Sequence, residues 1–225
     1  MTAIFVSATG TDVGKTFLTA GLIRHFRAQG RSVDAIKPVV SGFDPAAPAG
    51  SDPAALLAAL GRPFTTEEIG RISPWRFAAP LSPDQAAERE GRAIEFDAVT
   101  AFCRTTMAAR RGHLLIEGIG GIMVPLDANR TVLDLMTELR LPILLVAGSY
   151  VGTISHTLTA LQVLVRRNLD IAAVVVSESP GSAATVENTV AAIARFSGSI
   201  DVAGIPRLAD AAQAHPAFAA IAQLL

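Results

Sequence analysis

The chain is short of the residues that announce several functional classes. Its 225 residues include one cysteine, Cys103. That excludes an intrachain disulfide and a zinc centre of several thiolates, and it fits a reducing compartment. Cys103 falls in a run with Val99, Phe102 and Met107 that reads as the buried face of a helix, so a packing role is expected for it. An excess of charge of one sign is missing too. Nineteen Lys and Arg against 20 Asp and Glu leave a formal net charge of −1, so no global basic field recruits nucleic acid or an anionic membrane. Any anion must be held by local groups. No apolar run reaches the roughly 18 residues of a membrane span. Met1 to Val6 leads straight into a predicted strand, without the basic and apolar regions of a secretory leader. No nucleic acid and no membrane are expected as partners, and the cytoplasm is the expected compartment.

What is present suits a packed enzyme core. Half of the residues are hydrophobic and 17% are charged, a globular composition and not a disordered one. The length suits one domain spanning residues 1–225. Ile4 to Val6 reads as a buried strand, and a helix begins near Lys15 with Leu18, Leu22 and Phe26 at helical spacing. A second strand runs from Val33 to Val40, broken near Pro38. Residues 41–93 read as a long loop-rich segment. It holds a short helix from Pro53 to Leu60, with Asp52 suited to its N-cap, and another after Pro83. Ser73 to Pro83 carries too many prolines for a central strand. A helix from Phe96 to Arg110 precedes the strand His113 to Glu117. Strands at Pro142–Ala147, Ile171–Val176 and Val202–Ile205 alternate with helices at Thr153–Arg166 and about 184–196. Ala212 to Leu225 reads as a closing helix. Apolar strands separated by helices predict an α/β fold in three layers: a mostly parallel sheet with helices on both faces. Ligands then gather at the carboxyl ends of the strands.

Gly14-Lys15-Thr16 follows a strand and opens a helix, the context of a P-loop. Glycines let backbone N–H groups close around phosphate oxygens, and the helix start adds the positive end of its dipole. Lys15 would reach the β- and γ-phosphates, and Thr16 would bind magnesium. The usual pattern asks for glycine at position 9, where Thr9 stands, so an ordinary strand-to-helix turn remains the alternative. Phosphate chemistry also needs acids for its metal. Glu117 ends an apolar strand and is followed by Gly118, Gly120 and Gly121, so it reads either as a metal ligand or as a surface acid. Asp52 is a ligand or a cap. Asp12 faces the metal or the substrate, or braces the turn. Lys37, at the end of the second strand, reads as a solvent-facing lysine or a functional one.

Several segments in order resemble the dethiobiotin synthetase family. They are Thr11 to Thr16, Lys37-Pro38-Val39-Val40-Ser41-Gly42, Ser51-Asp52 and Phe77 to Pro83. Further along come Glu117-Gly118-Ile119-Gly120-Gly121, Gly152-Thr153-Ile154-Ser155-His156 and Gly204-Ile205-Pro206. The resemblance runs from the first strand to about Leu208. It implies a P-loop NTPase fold and an ATP-driven closure of a cyclic urea from 7,8-diaminononanoate and CO2. It implies ATP as co-substrate and Mg2+ held by Thr16, Asp52 and Glu117. Lys37, Lys15 and Thr11 would be catalytic. Gly10, Thr11, Asp12, Val13, Gly14, Lys15, Thr16 and Phe17 would bind the nucleotide, with Ser177 and Pro206 toward its base. Ser41 and Gly118 would bind the organic substrate. The helix start Gly152-Thr153-Ile154-Ser155, supplied by a second subunit, would receive its carboxylate, which implies a homodimer with composite sites. The chain departs from the family at Ala8, in place of a loop glycine. Ser177 and Ser155 stand at common asparagine positions, and Tyr150 where a lysine can occur. His156 has no role that this chemistry demands. The rival reading is a partition-type P-loop switch ATPase, which typically carries a second lysine early in the loop; Thr9 to Asp12 offer none.

Overall fold

The computed structural model describes residues 2–225; Met1, at the head of the expected opening strand, lies outside the described residues. Strand β1 (Ala3–Ala8) is buried at every position. It leads through the glycine loop into helix α1 (Lys15–Ala28), whose Leu18, Leu22 and Phe26 point inward as their spacing predicts. Then come β2 (Val33–Ile36), β3 (Val39–Ser41), a 3-10 turn (Pro48–Gly50), α2 (Asp52–Leu60), α3 (Thr66–Ile72), β4 (Trp75–Phe77), α4 (Pro83–Arg89) and α5 (Phe96–Ala109). The second half holds β5 (His113–Glu117), α6 (Val132–Leu139), β6 (Ile143–Gly148), α7 (Thr153–Arg166), β7 (Ile171–Ser177), α8 (Val186–Ala194), β8 (Val202–Ile205) and α9 (Pro216–Ala222).

The main sheet has six strands in the order β2-β5-β1-β6-β7-β8, all parallel. Its central strands are buried on both faces, which is why they read as unbroken apolar runs. Helices cover both faces; α1 packs with α2 and α9, α5 with α6, and α7 with α8. The closing contact is tight: a methyl group on Gly21 would meet the Phe218 ring at 1.9 Å, so only glycine lets α9 lie this close to α1. Cys103 is fully buried on α5, and burial pushes its thiol up to about 12.

The predicted α/β architecture holds, with local corrections. The strand expected over Val33–Val40 is two strands in two sheets. Beyond Pro38, which has no N–H to donate, β3 leaves the main sheet and pairs in parallel with β4. Trp75–Phe77 is thus a strand despite its prolines, but outside the central sheet. Helices α3 and α6 were not expected. The second has a readable signal, a capping box in which the Thr131 N–H and hydroxyl both donate to Asp134. The N-cap of α2 is Ser51, whose hydroxyl accepts from the Ala54 N–H; Asp52 is the first helical residue, and its carboxylate is free for other work. The closing helix is shorter than expected. It starts at Pro216, with His215 as cap, because a residue before proline is steered out of helical geometry.

Candidate active site

The site is built at the carboxyl ends of three neighbouring strands. After β1 the chain turns through Asp12 and Gly14 with φ of +56° and +98°. A positive φ at a non-glycine residue is strained and is typical of functional loops. Gly14 caps α1 with no side-chain bond, so the first N–H groups of the helix face the loop unpaired. Lys15 then folds back over this loop: its Nζ donates to the Gly10 carbonyl at 3.0 Å. Burial, and then the nearby charge of Lys37, lower the Lys15 pKa to about 8.

Register brings Lys37 and Glu117 together. Ile36 on β2 pairs with Ile116 on β5, so the next residue of each strand shares a face. The Lys37 ammonium donates to Glu117 Oε1 at 2.8 Å and also to Asp52 at the start of α2. The Thr16 hydroxyl donates to the same Glu117 Oε1 at 2.5 Å. Glu117 is wholly buried, and its other oxygen, Oε2, has no hydrogen-bond partner among the described residues. Burial disfavours the Lys37 charge, but the two carboxylates outweigh it and hold its pKa above the ordinary lysine range. Burial likewise pushes the Asp52 carboxyl up, yet Lys37 brings it below its usual value. Asp52 keeps 45% of its side-chain surface exposed, so it forms the open edge of the cluster. Thr16, Asp52 and Glu117 are hard oxygen donors of the kind magnesium takes alongside phosphate, and the unpartnered Glu117 oxygen leaves a ligand position to fill.

Three cavities meet at the glycine loop. The central one, about 340 Å³, is lined by Thr11, Lys15, Thr16, Lys37, Ser41 and Asp52 among others. On one side, sharing Asp12, Gly14 and Phe17, lies a cavity of about 230 Å³ walled by Val13, Ser177, Glu178, Arg207 and Leu208. On the other side, sharing Thr11, lies a more apolar cavity of about 550 Å³ with Gly10, Met123, Val124, His156 and Val163 in its wall.

Most of the expected site residues therefore converge, and some do not. Gly118 is turned into the core, its α-carbon facing Phe5 and Val132, while Ile119 and Gly120 line the central cavity. Pro206 lies beside the second cavity, whose wall is formed by its neighbour Arg207. Gly152 to Ser155 border none of the three cavities. The Thr153 hydroxyl is spent on the Gly148 carbonyl at 2.7 Å, and Gly152 is the N-cap of α7. His156 accepts from or donates to the Tyr150 hydroxyl through Nδ1 at 3.0 Å. Glu178, Arg207 and Leu208 escaped the sequence analysis. They stand beyond the ends of β7 and β8, where such sheets gather ligands, but they carry no motif.

Comparison with known proteins shows the family to which this site belongs. Residues 2–215 match the family described as AAA domain. The ATP-dependent dethiobiotin synthetase of Methylobacterium nodulans is 50% identical over 204 residues, covering 88% of this chain and 90% of the relative. That of Phenylobacterium zucineum is 47% identical over 228 residues, covering 99% and 96%. The chain belongs to the dethiobiotin synthetase family. The Caulobacter vibrioides member of this family is 50% identical over 208 residues, covering 92% and 93%. Solved structures outside the dethiobiotin synthetases share the fold alone. The cell division ATPase MinD of Pyrococcus furiosus aligns with TM-score 0.57 at 16% identity, covering 99% of each chain. The MinC:MinD cell division complex of Aquifex aeolicus aligns with TM-score 0.59 at 13% identity, covering 100% of this chain and 94% of the other.

Proposed function

We propose that this dethiobiotin synthetase family member carboxylates 7,8-diaminononanoate with CO2 and closes the cyclic urea of dethiobiotin, converting ATP to ADP and phosphate. The observation that carries the reading is the cluster of two lysines, two carboxylates and a threonine hydroxyl around one cavity, between a second cavity for a base and a third, more apolar one for an alkyl chain. The chain works as one domain over residues 1–225, in the cytoplasm.

The chemistry runs in three steps. A substrate amine adds to CO2 and loses a proton, giving a carbamate. A carbamate oxygen attacks the γ-phosphorus and ADP departs. The second amine then attacks the carbamate carbon, the C–O bond to phosphate breaks, and a further proton leaves. Carbamate and γ-phosphate are both anions, and their approach is the electrostatic problem that the site must solve. Lys15 and Lys37 carry the neutralising charge. The Thr11 and Ser41 hydroxyls orient the carbamate and the attacking amine. Gly10, Thr11, Asp12, Val13, Gly14 and Thr16 wrap the phosphates, and Phe17, Ser177 and the Pro206–Arg207 segment flank the base. Thr16, Asp52 and Glu117 would hold Mg2+, which when bound offsets charge on the β- and γ-phosphates. Positioning and charge suffice, with no activated nucleophile.

The active unit is a homodimer with composite sites. Support comes from α7: Gly152 to Ser155 line none of the three cavities, and Val151 is 89% and Ile154 38% exposed. A second copy can therefore bring that helix start to the far carboxylate of the substrate. The test is incubation with ATP, Mg2+, bicarbonate and 7,8-diaminononanoate, with dethiobiotin and ADP quantified together. Equal formation of both is expected. ATP hydrolysis indifferent to the diamine would overturn this reading in favour of a switch ATPase.

A further inference from the structure

Lys37 occupies an unusual place for a residue assigned to substrate. The residue is 3% exposed, and its ammonium sits between the two carboxylates that the proposed function gives to the metal. A buried carboxylate without a cation is strongly disfavoured, and here the cation is Lys37. Glu117 is used unevenly: Oε1 takes both Lys37 and Thr16, while the buried Oε2 has no partner. One ammonium thus faces two carboxylates, and one buried carboxylate oxygen is left without a partner among the described residues.

We propose that Asp52 and Glu117 form a single-cation cage with two mutually exclusive occupants, the Lys37 ammonium and a divalent cation. This rests on the assignment of the metal to Thr16, Asp52 and Glu117. A divalent ion neutralises both carboxylates by itself, and an ammonium left within a few ångströms is then repelled. Lys37 is anchored at its backbone, where its N–H donates to the Ile72 carbonyl at 2.9 Å, but four flexible carbons carry its charge. The displaced ammonium moves into the cavity it already lines with Thr11 and Ser41. No proton changes hands, since both occupants are cations. The exchange makes the lysine available to an anionic substrate only when the metal is in place. Without metal the same lysine keeps the carboxylates from repelling each other.

The test uses Mn2+ as probe, without nucleotide, diamine or bicarbonate. Free Mn2+ is read by its electron paramagnetic resonance signal, and folding is checked by circular dichroism. Lys37→Met should bind Mn2+ at least about tenfold more tightly than the wild type, because the competitor is gone. Adding Asp52→Asn to that variant should reverse the gain. A folded Lys37→Met protein that binds Mn2+ no better than the wild type overturns the proposal. Should Lys37→Met not fold, the wild type is titrated with Mg2+ and the lysine side-chain nitrogen signals are followed by nuclear magnetic resonance. The buried, ion-paired Lys37 signal should shift or vanish as calorimetry registers binding. An unmoved signal at saturation overturns the exchange. Dethiobiotin formation by the wild type, together with an unchanged Mn2+ affinity in folded Lys37→Met, refutes this inference alone. An exchanging cage in a protein that makes no dethiobiotin refutes the functional reading alone.

Discussion

Two helices of this protein begin in nearly the same way and end up in different chemical company. Helices α1 and α7 are both 14 residues long and follow the adjacent strands β1 and β6. Each is capped by a glycine in left-handed backbone, Gly14 at φ 98° and Gly152 at φ 99°, with no side-chain cap. Each therefore offers unpaired N–H groups to an anion. At α1 those groups face a cavity shared with two lysines and two acids. At α7 the helix start borders none of the chain's own cavities and carries the exposed Val151 and Ile154. The backbone device alone does not make a site. Neighbouring strands supply the charge at one end, and at the other a second copy of the chain is proposed to supply the partner.

The comparison is broken most sharply at the charged end. Lys15→Ala and Lys37→Ala should each lower the rate of dethiobiotin formation by about 10²–10³, the usual effect of removing one preorganised charge-stabilising group. The measurement is turnover in protein whose circular dichroism is unchanged, and a loss below threefold would remove the residue from the chemistry. Next come the two glycine caps. Gly14→Ala should combine backbone strain of about 1–3 kcal/mol with a clash, because its new methyl would lie 2.5 Å from the Ser177 hydroxyl. Gly152→Ala suffers the strain alone, since the nearest atom, on His156, is 3.7 Å away. Thermal melts should therefore rank Gly14→Ala as the less stable, and calorimetry should find ATP binding impaired only there.

A smaller effect follows from pH. Lys15 is lowered from 10.5 to about 8, burial being the main cause. Between these two values the unfolded chain holds more protons at this position than the folded one does. Stability of the unliganded protein from this group therefore rises as pH rises from about 8 toward 10.5, while ATP affinity falls as the ammonium is lost. Calorimetry at pH 7 and pH 9 should show the fall in the wild type, and Lys15→Met should flatten it. Thr153→Val should do least. It removes one hydrogen bond to the Gly148 carbonyl, costs about 1 kcal/mol and leaves ATP binding as it was.

The legible parts of the sequence were those in which the physics is local. β1, the glycine loop and α1 are contiguous, and apolar period, glycine placement and the lysine after Gly14 point the same way. The apolar strand ending at Glu117 was equally plain. What could not be read is what depends on register. Nothing near Lys37 says that its ammonium lies between Asp52 and Glu117, because that follows from how β2 sits beside β5. Asp52 was left open between a cap and a metal ligand, and Ser51 takes the cap. The ribbon of β3 and β4 was obscured by prolines, which speak against a central strand but not against a short peripheral one. The walls of the second cavity, Glu178 and Arg207, come together from the ends of β7 and β8, 29 residues apart in the chain. No window of sequence contains both.

The solitary Cys103 has a practical corollary. With its sulfur sealed inside α5 and held as the neutral thiol far above physiological pH, the wild-type surface is blank to thiol-reactive dyes. A cysteine placed at Val151, the barest of the apolar side chains at the start of α7, would be the one handle that reacts. A fluorophore there would test the proposed meeting of two chains in real time, without any native thiol having to be engineered away first.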